Sequence, residues 1–284
     1  MRADGRRVAF GGMSDQPART RTALITGASS GIGEEYARQL ARRGFALVLV
    51  ARRAELIDGL AAELSERHGV AVEPLVADLT DDADLATVEE RLRVADGGGL
   101  TPIDLLVNNA GRGGGGSFAR QDTDAIDDTI ELNVRALVRL TRAVLPAQIE
   151  RRKQGTAADH PMGVLNVASM AGLMPAAPGG AIYAATKAFV VSFTESVAAE
   201  VRRHGLRVSA VLPGYVRTEM TSELQESGMP GIAFVAKDRV VTDSLRAWAA
   251  GAPSVIPGAR YKAAGGLLRV VPRGLFRGLA GRRG

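Results

Sequence analysis

The sequence predicts an α/β fold, a single doubly wound domain whose parallel sheet is covered by helices on both faces. Three observations carry that prediction. Strand-like and helix-like segments alternate from Thr22 to Leu212. The strand-like segments are continuous apolar runs rather than alternating ones, as expected of strands buried on both faces. The connections between them are too short to hold a second domain, and no fixed-period repeat interrupts them.

The first strand is Ala23-Leu24-Ile25-Thr26, closed by Gly27. A helix follows over 31–43, with Ile32, Tyr36, Ala37 and Leu40 at helical spacing and Gly44 as its stop. The second strand is the apolar run 45–50, and a second helix over 53–67 closes on His68-Gly69. The third strand covers 70–77 and ends at Asp78, the third helix 81–95, and the fourth strand 103–107. A long helix spans 123–152. Pro146 is expected to end or bend it, because proline lacks an N–H and its ring crowds the preceding turn. The fifth strand is 163–168, a further long helix 180–204, and the sixth strand 206–212. After Pro213 the regularity fades. The expected organisation is a disordered extension over 1–20, with Met13 as an alternative start, a domain over 21–245, and a basic tail over 246–284.

Composition narrows the function classes. The 284 residues are 46% hydrophobic and 24% charged, ordinary values for a soluble globular protein with a large core. The chain has no cysteine, which excludes disulfides, iron–sulfur clusters and thiolate zinc sites. His68, His160 and His204 are isolated from one another, so no metal site is expected. No apolar run approaches the roughly 18 residues of a membrane span. The N-terminus lacks the apolar centre of a secretory signal, and a cytoplasmic location is expected. The net charge of +5 is uneven. Residues 244–284 hold eight basic residues and no acidic one, and residues 1–22 carry +3. The body between is therefore mildly acidic, which argues against a nucleic-acid partner.

Thr26-Gly27-Ala28-Ser29-Ser30-Gly31-Ile32-Gly33 joins the first strand to the first helix. Glycines there let the backbone turn tightly and approach a phosphate, and the helix N-terminus offers free N–H groups and partial positive charge. Ser29 and Ser30 add hydroxyl donors. The spacing is not GxGxxG, but a glycine turn after the first strand of an alternating chain points to dinucleotide binding of the Rossmann type. Gly27 to Gly31 also fits GxSxG, the nucleophile elbow of serine hydrolases, with Ser29 as nucleophile. That alternative fits poorly. Only one strand precedes the turn, and His204, the only late histidine, sits in an Arg-Arg-His-Gly context typical of a solvated helix end.

The second strand ends Val50-Ala51-Arg52-Arg53, with no carboxylate for a ribose hydroxyl. Two guanidiniums there suit the 2′-phosphate of NADP(H), preferred over NAD(H), and offer a planar face to adenine. The alternative is a pair of solvated residues at a strand end. Asp78, ending the third strand, is placed to meet the adenine edge.

Tyr183 and Lys187 lie four apart on a helix and share one face. A phenol titrates near pH 10 and is a poor acid–base catalyst at neutrality, but a nearby ammonium favours the phenolate. Tyr183 could then exchange a proton with a carbonyl oxygen as hydride is transferred. Ser169 follows the fifth strand on the carboxyl edge of the sheet, where such folds bind ligands. Asn108-Asn109-Ala110-Gly111 ends the fourth strand on the same edge. Asn133 lies in an apolar helical context between Leu132 and Val134, which leaves it a structural hydrogen bond or a proton-relaying water to hold.

The order and spacing of these motifs resemble those of the short-chain dehydrogenase/reductase family over residues 20–220. Pro213-Gly214-Tyr215-Val216-Arg217-Thr218 after the sixth strand extends the resemblance. It implies that Tyr183 is the general acid/base, that Ser169 polarises the carbonyl, that Lys187 holds the nicotinamide ribose and depresses the tyrosine pKa, and that Asn133 supports a proton relay. It also implies cofactor contacts at Gly27, Ser29, Ser30, Gly31, Ile32, Gly33, Arg52, Arg53, Asp78, Leu79, Asn109, Ala110, Gly111, Tyr183, Lys187, Pro213, Gly214, Val216 and Thr218. Two features depart from the family pattern. Ala168 stands where a second serine is common, and the loop Gly111-Arg112-Gly113-Gly114-Gly115-Gly116 is unusually rich in glycine.

The expected function is NADP(H)-dependent interconversion of an alcohol with a ketone or aldehyde. The partner is a small-molecule carbonyl or alcohol substrate, with residues 216–240 as a variable lid. By family analogy a homodimer or homotetramer is expected. The stretch 265–277 mixes apolar and basic residues, which leaves open weak contact with anionic membrane surfaces, packing at a subunit interface, or a disordered end. A catalytically silent NADPH sensor is the alternative reading, against which the set Asn133, Ser169, Tyr183 and Lys187 argues.

Overall fold

The computed structural model describes residues 20–95, 101–155, 160–175, 177–226 and 230–270. The apolar runs become strands. β1 (Thr22–Thr26) and β2 (Ala46–Ala51) are buried throughout, while β3 (Val72–Val76) is partly exposed. β4 (Leu105–Asn108), β5 (Gly163–Val167) and β6 (Arg207–Val211) return to near-complete burial. β3 is an edge strand, where Pro74 withholds only a donor that no neighbour needs.

Between the strands run α1 (Gly31–Ala41), α2 (Ala54–His68), α3 (Asp82–Arg93), α4 (Thr123–Ile130), α5 (Leu137–Lys153) and α6 (Ala181–Val201). Past β6 come β7 (Tyr215–Val216), α7 (Ser222–Glu226), β8 (Phe234–Val235), α8 (Lys237–Ala249), β9 (Ser254–Val255) and α9 (Ala259–Val270). Among the described residues the main sheet is seven-stranded and parallel, in the order β3-β2-β1-β4-β5-β6-β9. The winding direction reverses between β1 and β4. Such a switch point opens a crevice at the carboxyl ends of the strands.

Side-chain alternation along each strand feeds two cores. Ala23, Ile25, Leu47 and Leu49 pack against α1, α2 and α8 through Leu40, Ile57, Leu64 and Leu245. Leu24, Val48, Leu106 and Val164 face the other way, against α3, α5 and α6 through Leu85, Leu140 and Val201. The fully buried Tyr36 reaches Ser244 with its hydroxyl at 2.6 Å, tying α1 to α8. At the amino edge of the sheet Arg151 and Asp104 form a buried ion pair at 2.5 Å, and Asp104 also accepts from the Thr22 N–H at 2.8 Å.

The structure differs from the sequence reading at several points. The helix expected over 123–152 is interrupted by a π-helical turn, Glu131–Ala136, between α4 and α5. Pro146 lies inside α5 and does not end it. The helix expected to reach 204 ends at Val201 and gives way to a 3-10 turn, closed by Gly205 at φ 70°. The largest difference lies beyond 245. α8 continues to Ala249, β9 adds a strand to the sheet beside β6, and α9 follows. β9 has two residues, between Pro253 and Pro257, and so short a run has no periodicity to read. The extension before residue 20 and the tail after residue 270 lie outside the described residues. No helix among those described is long and apolar enough to cross a membrane.

Candidate active site

Every residue expected to act follows the carboxyl end of a strand or sits on a helix that starts there. The glycine turn after β1 and the Asn109-Ala110-Gly111 segment after β4 flank the switch point and are knitted together. Thr26 Oγ1 accepts from the N–H groups of Asn109 at 3.0 Å and Ala110 at 2.9 Å. Asn109 returns its side-chain amide to the carbonyl of Thr26 at 2.9 Å and of Gly27 at 3.2 Å.

The glycine turn fits a dinucleotide phosphate. Gly27 and Gly31 take positive φ, and a Cβ on Gly33 would fall 2.1 Å from the Gly27 carbonyl oxygen. Ser30, the residue before α1, makes no side-chain cap. The first-turn N–H groups, which no helix satisfies internally, are therefore left for a ligand. The Thr218 methyl abuts the same turn, 3.1 Å from where a Cβ on Gly31 would stand.

Arg53 turns towards this loop, donating to Ser29 Oγ at 3.1 Å and to Glu219 at 3.2 Å. Arg52 reaches Asp78 at 3.5 Å and stays largely exposed. Burial pushes the Asp78 carboxyl up. Hydrogen bonds from the Thr80 N–H and hydroxyl, with the nearby Arg52, outweigh it and leave the carboxyl below its ordinary range. Leu79 beside it is buried.

The chemical constellation lies on the other side of the crevice. A buried network holds α5 and α6 to the sheet beneath it. Asn108 donates to Thr141 and Asn166, and Asn166 donates to Thr194. Ser169 accepts from the Ala171 N–H at 3.1 Å, and its hydroxyl faces the Tyr183 phenol closely enough to favour the phenolate. The turn after Ser169 lies directly on α6, since a Cβ on Gly172 would meet the Lys187 backbone at 2.7 Å. That close approach brings Ser169 to Tyr183, and Gly172 is a signal the sequence reading passed over.

Lys187 is buried, with Nζ 5.8 Å from the Tyr183 ring centroid, and donates to the Val167 carbonyl at 2.9 Å. Burial lowers its pKa to about 8. The expected depression of the tyrosine pKa is not what this geometry gives. Burial drives the Tyr183 pKa up; the Ser169 hydroxyl opposes it and the nearby Tyr215 adds to it. Desolvation of the phenolate dominates.

Asn133 sits in the π-helical turn, a local widening often found at functional sites. Its Oδ1 accepts from the Arg112 N–H at 2.8 Å, while Nδ2 donates to the Arg112 carbonyl at 2.9 Å and to Thr186 Oγ1 at 3.1 Å. The asparagine thus fixes the start of the glycine-rich loop to α6. Next to Tyr183 a cavity of about 700 Å³ opens, lined by that loop and by Arg112, Arg120, Ile126 and Ile182.

The segment after β6 is braced by a residue the sequence reading missed. The Tyr261 ring of α9 packs on Gly214, where a Cβ would collide at 2.1 Å. Its hydroxyl accepts from the Tyr215 N–H at 3.2 Å and donates to the Ala233 carbonyl at 2.6 Å. The Pro213–Thr218 stretch and the segment 230–235 are thereby joined, with Val216 buried and paired to Val235. The hydrolase alternative has no support. Ser29 is engaged by Arg53, while His68, His160 and His204 all precede strands and lie at the opposite, amino edge.

A family model described as short chain dehydrogenase matches residues 21–228. The chain belongs to the short-chain dehydrogenase family. Among relatives of this short-chain dehydrogenase, Oxidoreductase UcpA of Escherichia coli K12 is 41% identical over 74% of each chain. A short-chain dehydrogenase from Sphingobium yanoikuyae, solved in complex with NADPH, superposes with TM-score 0.76 at 39% identity, over 92% of this chain and 95% of that one. The bulky-bulky ketone specific alcohol dehydrogenase from Comamonas testosteroni gives TM-score 0.71 at 35% identity, over 89% and 95%. Membership makes the chain a nucleotide-binding oxidoreductase of the Rossmann fold.

Proposed function

We propose that this short-chain dehydrogenase uses NADP(H), in preference to NAD(H), to interconvert a ketone or aldehyde with the corresponding alcohol. The observation that carries the reading is the grouping of Ser169 and the buried Lys187 around Tyr183, which lines the cavity, across the crevice from the Arg53-braced glycine turn. The solved relative with NADPH and the ketone-specific alcohol dehydrogenase support the cofactor and the substrate class.

The residues that would hold the dinucleotide are the turn from Gly27 to Gly33 for the pyrophosphate, Arg52 and Arg53 for the 2′-phosphate, and Asp78 and Leu79 for the adenine. Asn109 to Gly111, Lys187 and the Pro213–Thr218 segment would flank the nicotinamide end. When bound, the cofactor supplies or accepts the hydride. The chain manages the oxygen and its proton. Ser169 donates a hydrogen bond to the substrate oxygen and fixes its distance from the phenol. Tyr183, whose raised pKa keeps it protonated at neutrality, gives its proton to that oxygen as charge develops on it. Lys187 keeps a cationic group beneath the site, and Asn133 holds the loop that closes the cavity.

Exposed Phe189, stacked on Phe193 along α6 at 5.8 Å, supports the expected homodimer or homotetramer. The basic tail keeps its proposed weak contact with anionic membranes. The test is consumption of NADPH with a panel of ketones and aldehydes, beside Tyr183→Phe. The variant is expected to lose about 10²–10⁴-fold in kcat while still binding NADPH. Turnover unaffected by the substitution would overturn the assignment. Tight NADPH binding without turnover of any carbonyl would favour the sensor.

A further inference from the structure

The cavity beside Tyr183 has an asymmetric wall. Ile126 and Ile182 make it apolar near the phenol. Two guanidiniums, those of Arg112 and Arg120, stand around the glycine-rich loop. Their situations differ. Arg112 is neutralised by an ion pair with Asp128, and its backbone is held from both sides by Asn133. Arg120 has no carboxylate partner among the described residues, although it lines a cavity whose one acidic lining residue, Asp122, is close in sequence. Asp122 is committed elsewhere. It caps α4, accepting from the Ala125 N–H at 3.0 Å, where the helix dipole offsets its charge. The rim is also fixed in place. The Gly116 N–H donates to the Gly179 carbonyl at 2.8 Å, joining the loop to the segment that leads into α6 and Tyr183.

A guanidinium without a counter-ion, on the rim of a cavity that also presents Ala125, Ile126 and Ile182, matches a ligand with an apolar portion and an anionic end. We propose that Arg120 selects carbonyl substrates that carry a carboxylate, sulfonate or phosphate group distal to the reacting carbonyl. The inference rests on the reductase reading above and deepens it by naming the substrate class. Arg120 is exposed, so its attraction is screened by salt and is strongest at low ionic strength.

The test compares 4-carboxybenzaldehyde with its methyl ester, two aldehydes of similar shape that differ by one charge, in NADPH-dependent reduction at low and high salt. Calorimetric binding of terephthalate to the full-length protein is a second readout. The native enzyme is expected to favour the carboxylate by about tenfold in kcat/KM, equivalent to one charge-assisted contact. That ratio is expected to collapse in Arg120→Ala, to persist in Arg120→Lys, to invert in Arg120→Glu, and to shrink with salt. Because the ratio is internal to each variant, partial misfolding does not move it. A native ratio near one, or a ratio kept in Arg120→Ala, overturns the proposal. If neither aldehyde is reduced, terephthalate binding decides. Binding lost in Arg120→Ala supports the proposal, and its absence or persistence overturns it. The reductase reading fails separately, if no carbonyl of any charge is reduced.

Discussion

Arg53 and Glu219, 166 residues apart in sequence, form an ion pair at 3.2 Å between the segment after β2 and the 3-10 turn that precedes α7. The same guanidinium holds Ser29 of the glycine turn. The Glu219 carboxylate thus occupies the cation proposed for the 2′-phosphate, and the two anions would compete for it.

Glu219→Gln is therefore expected to tighten NADPH binding about two- to fivefold, the worth of an exposed ion pair, and to leave NADH unchanged. Arg53→Ala is expected to weaken NADPH far more than NADH. Fluorescence titration of both cofactors against both variants checks this. Equal changes for the two cofactors would sink the phosphate assignment.

Lys187 offers a test in stability. Burial lowers its pKa to about 8 in the folded chain, against about 10.4 for an unperturbed lysine. Between those values the unfolded chain binds a proton that the folded chain has released, so stability rises with pH across the window. The cost of the buried charge is present in full below about pH 8 and is relieved as pH approaches 10.4. Relative to Lys187→Met, which has no such group, the native protein is expected to gain roughly 2–3 kcal/mol between about pH 7 and about pH 10. Urea unfolding at a series of pH values measures the difference, and a flat difference would contradict it.

The raised Tyr183 pKa gives the two reaction directions different pH profiles. Reduction needs the protonated phenol, present throughout the neutral range. Oxidation needs the phenolate, scarce there. Initial rates of alcohol oxidation are thus expected to climb through the alkaline range while carbonyl reduction stays level or falls. An oxidation rate already on its plateau at neutral pH would show that the phenol pKa is low in the working enzyme.

Much of this was legible in the chain itself. Apolar runs ending in Gly27, Asp78, Asn108 and Ser169 announced parallel strands with chemistry at their carboxyl ends, because a buried strand must be apolar along its length and a turn must use small or polar residues. Tyr183 and Lys187 were readable as one helix face. The π-helical turn at Asn133 was not, since its widening depends on the Arg112 backbone and Thr186 lying within hydrogen-bond reach. Nor was the sign of the Tyr183 shift, because spacing places a lysine near a phenol but does not say how deeply the phenol is buried.

By itself the sequence determined the alternation of elements, the crevice edge and the residues that stand on it, since each follows from periodicity and local turn chemistry, while its motifs carried the resemblance to the family. Tertiary structure alone decided that Ser254–Val255 completes the sheet, that Tyr261 bridges Tyr215 and Ala233, that Glu219 reaches Arg53, and that Arg120 lines the cavity beside Tyr183. Each of these is a contact between segments distant in sequence. Such contacts depend on how helices pack across the sheet, and no local pattern of residues encodes them.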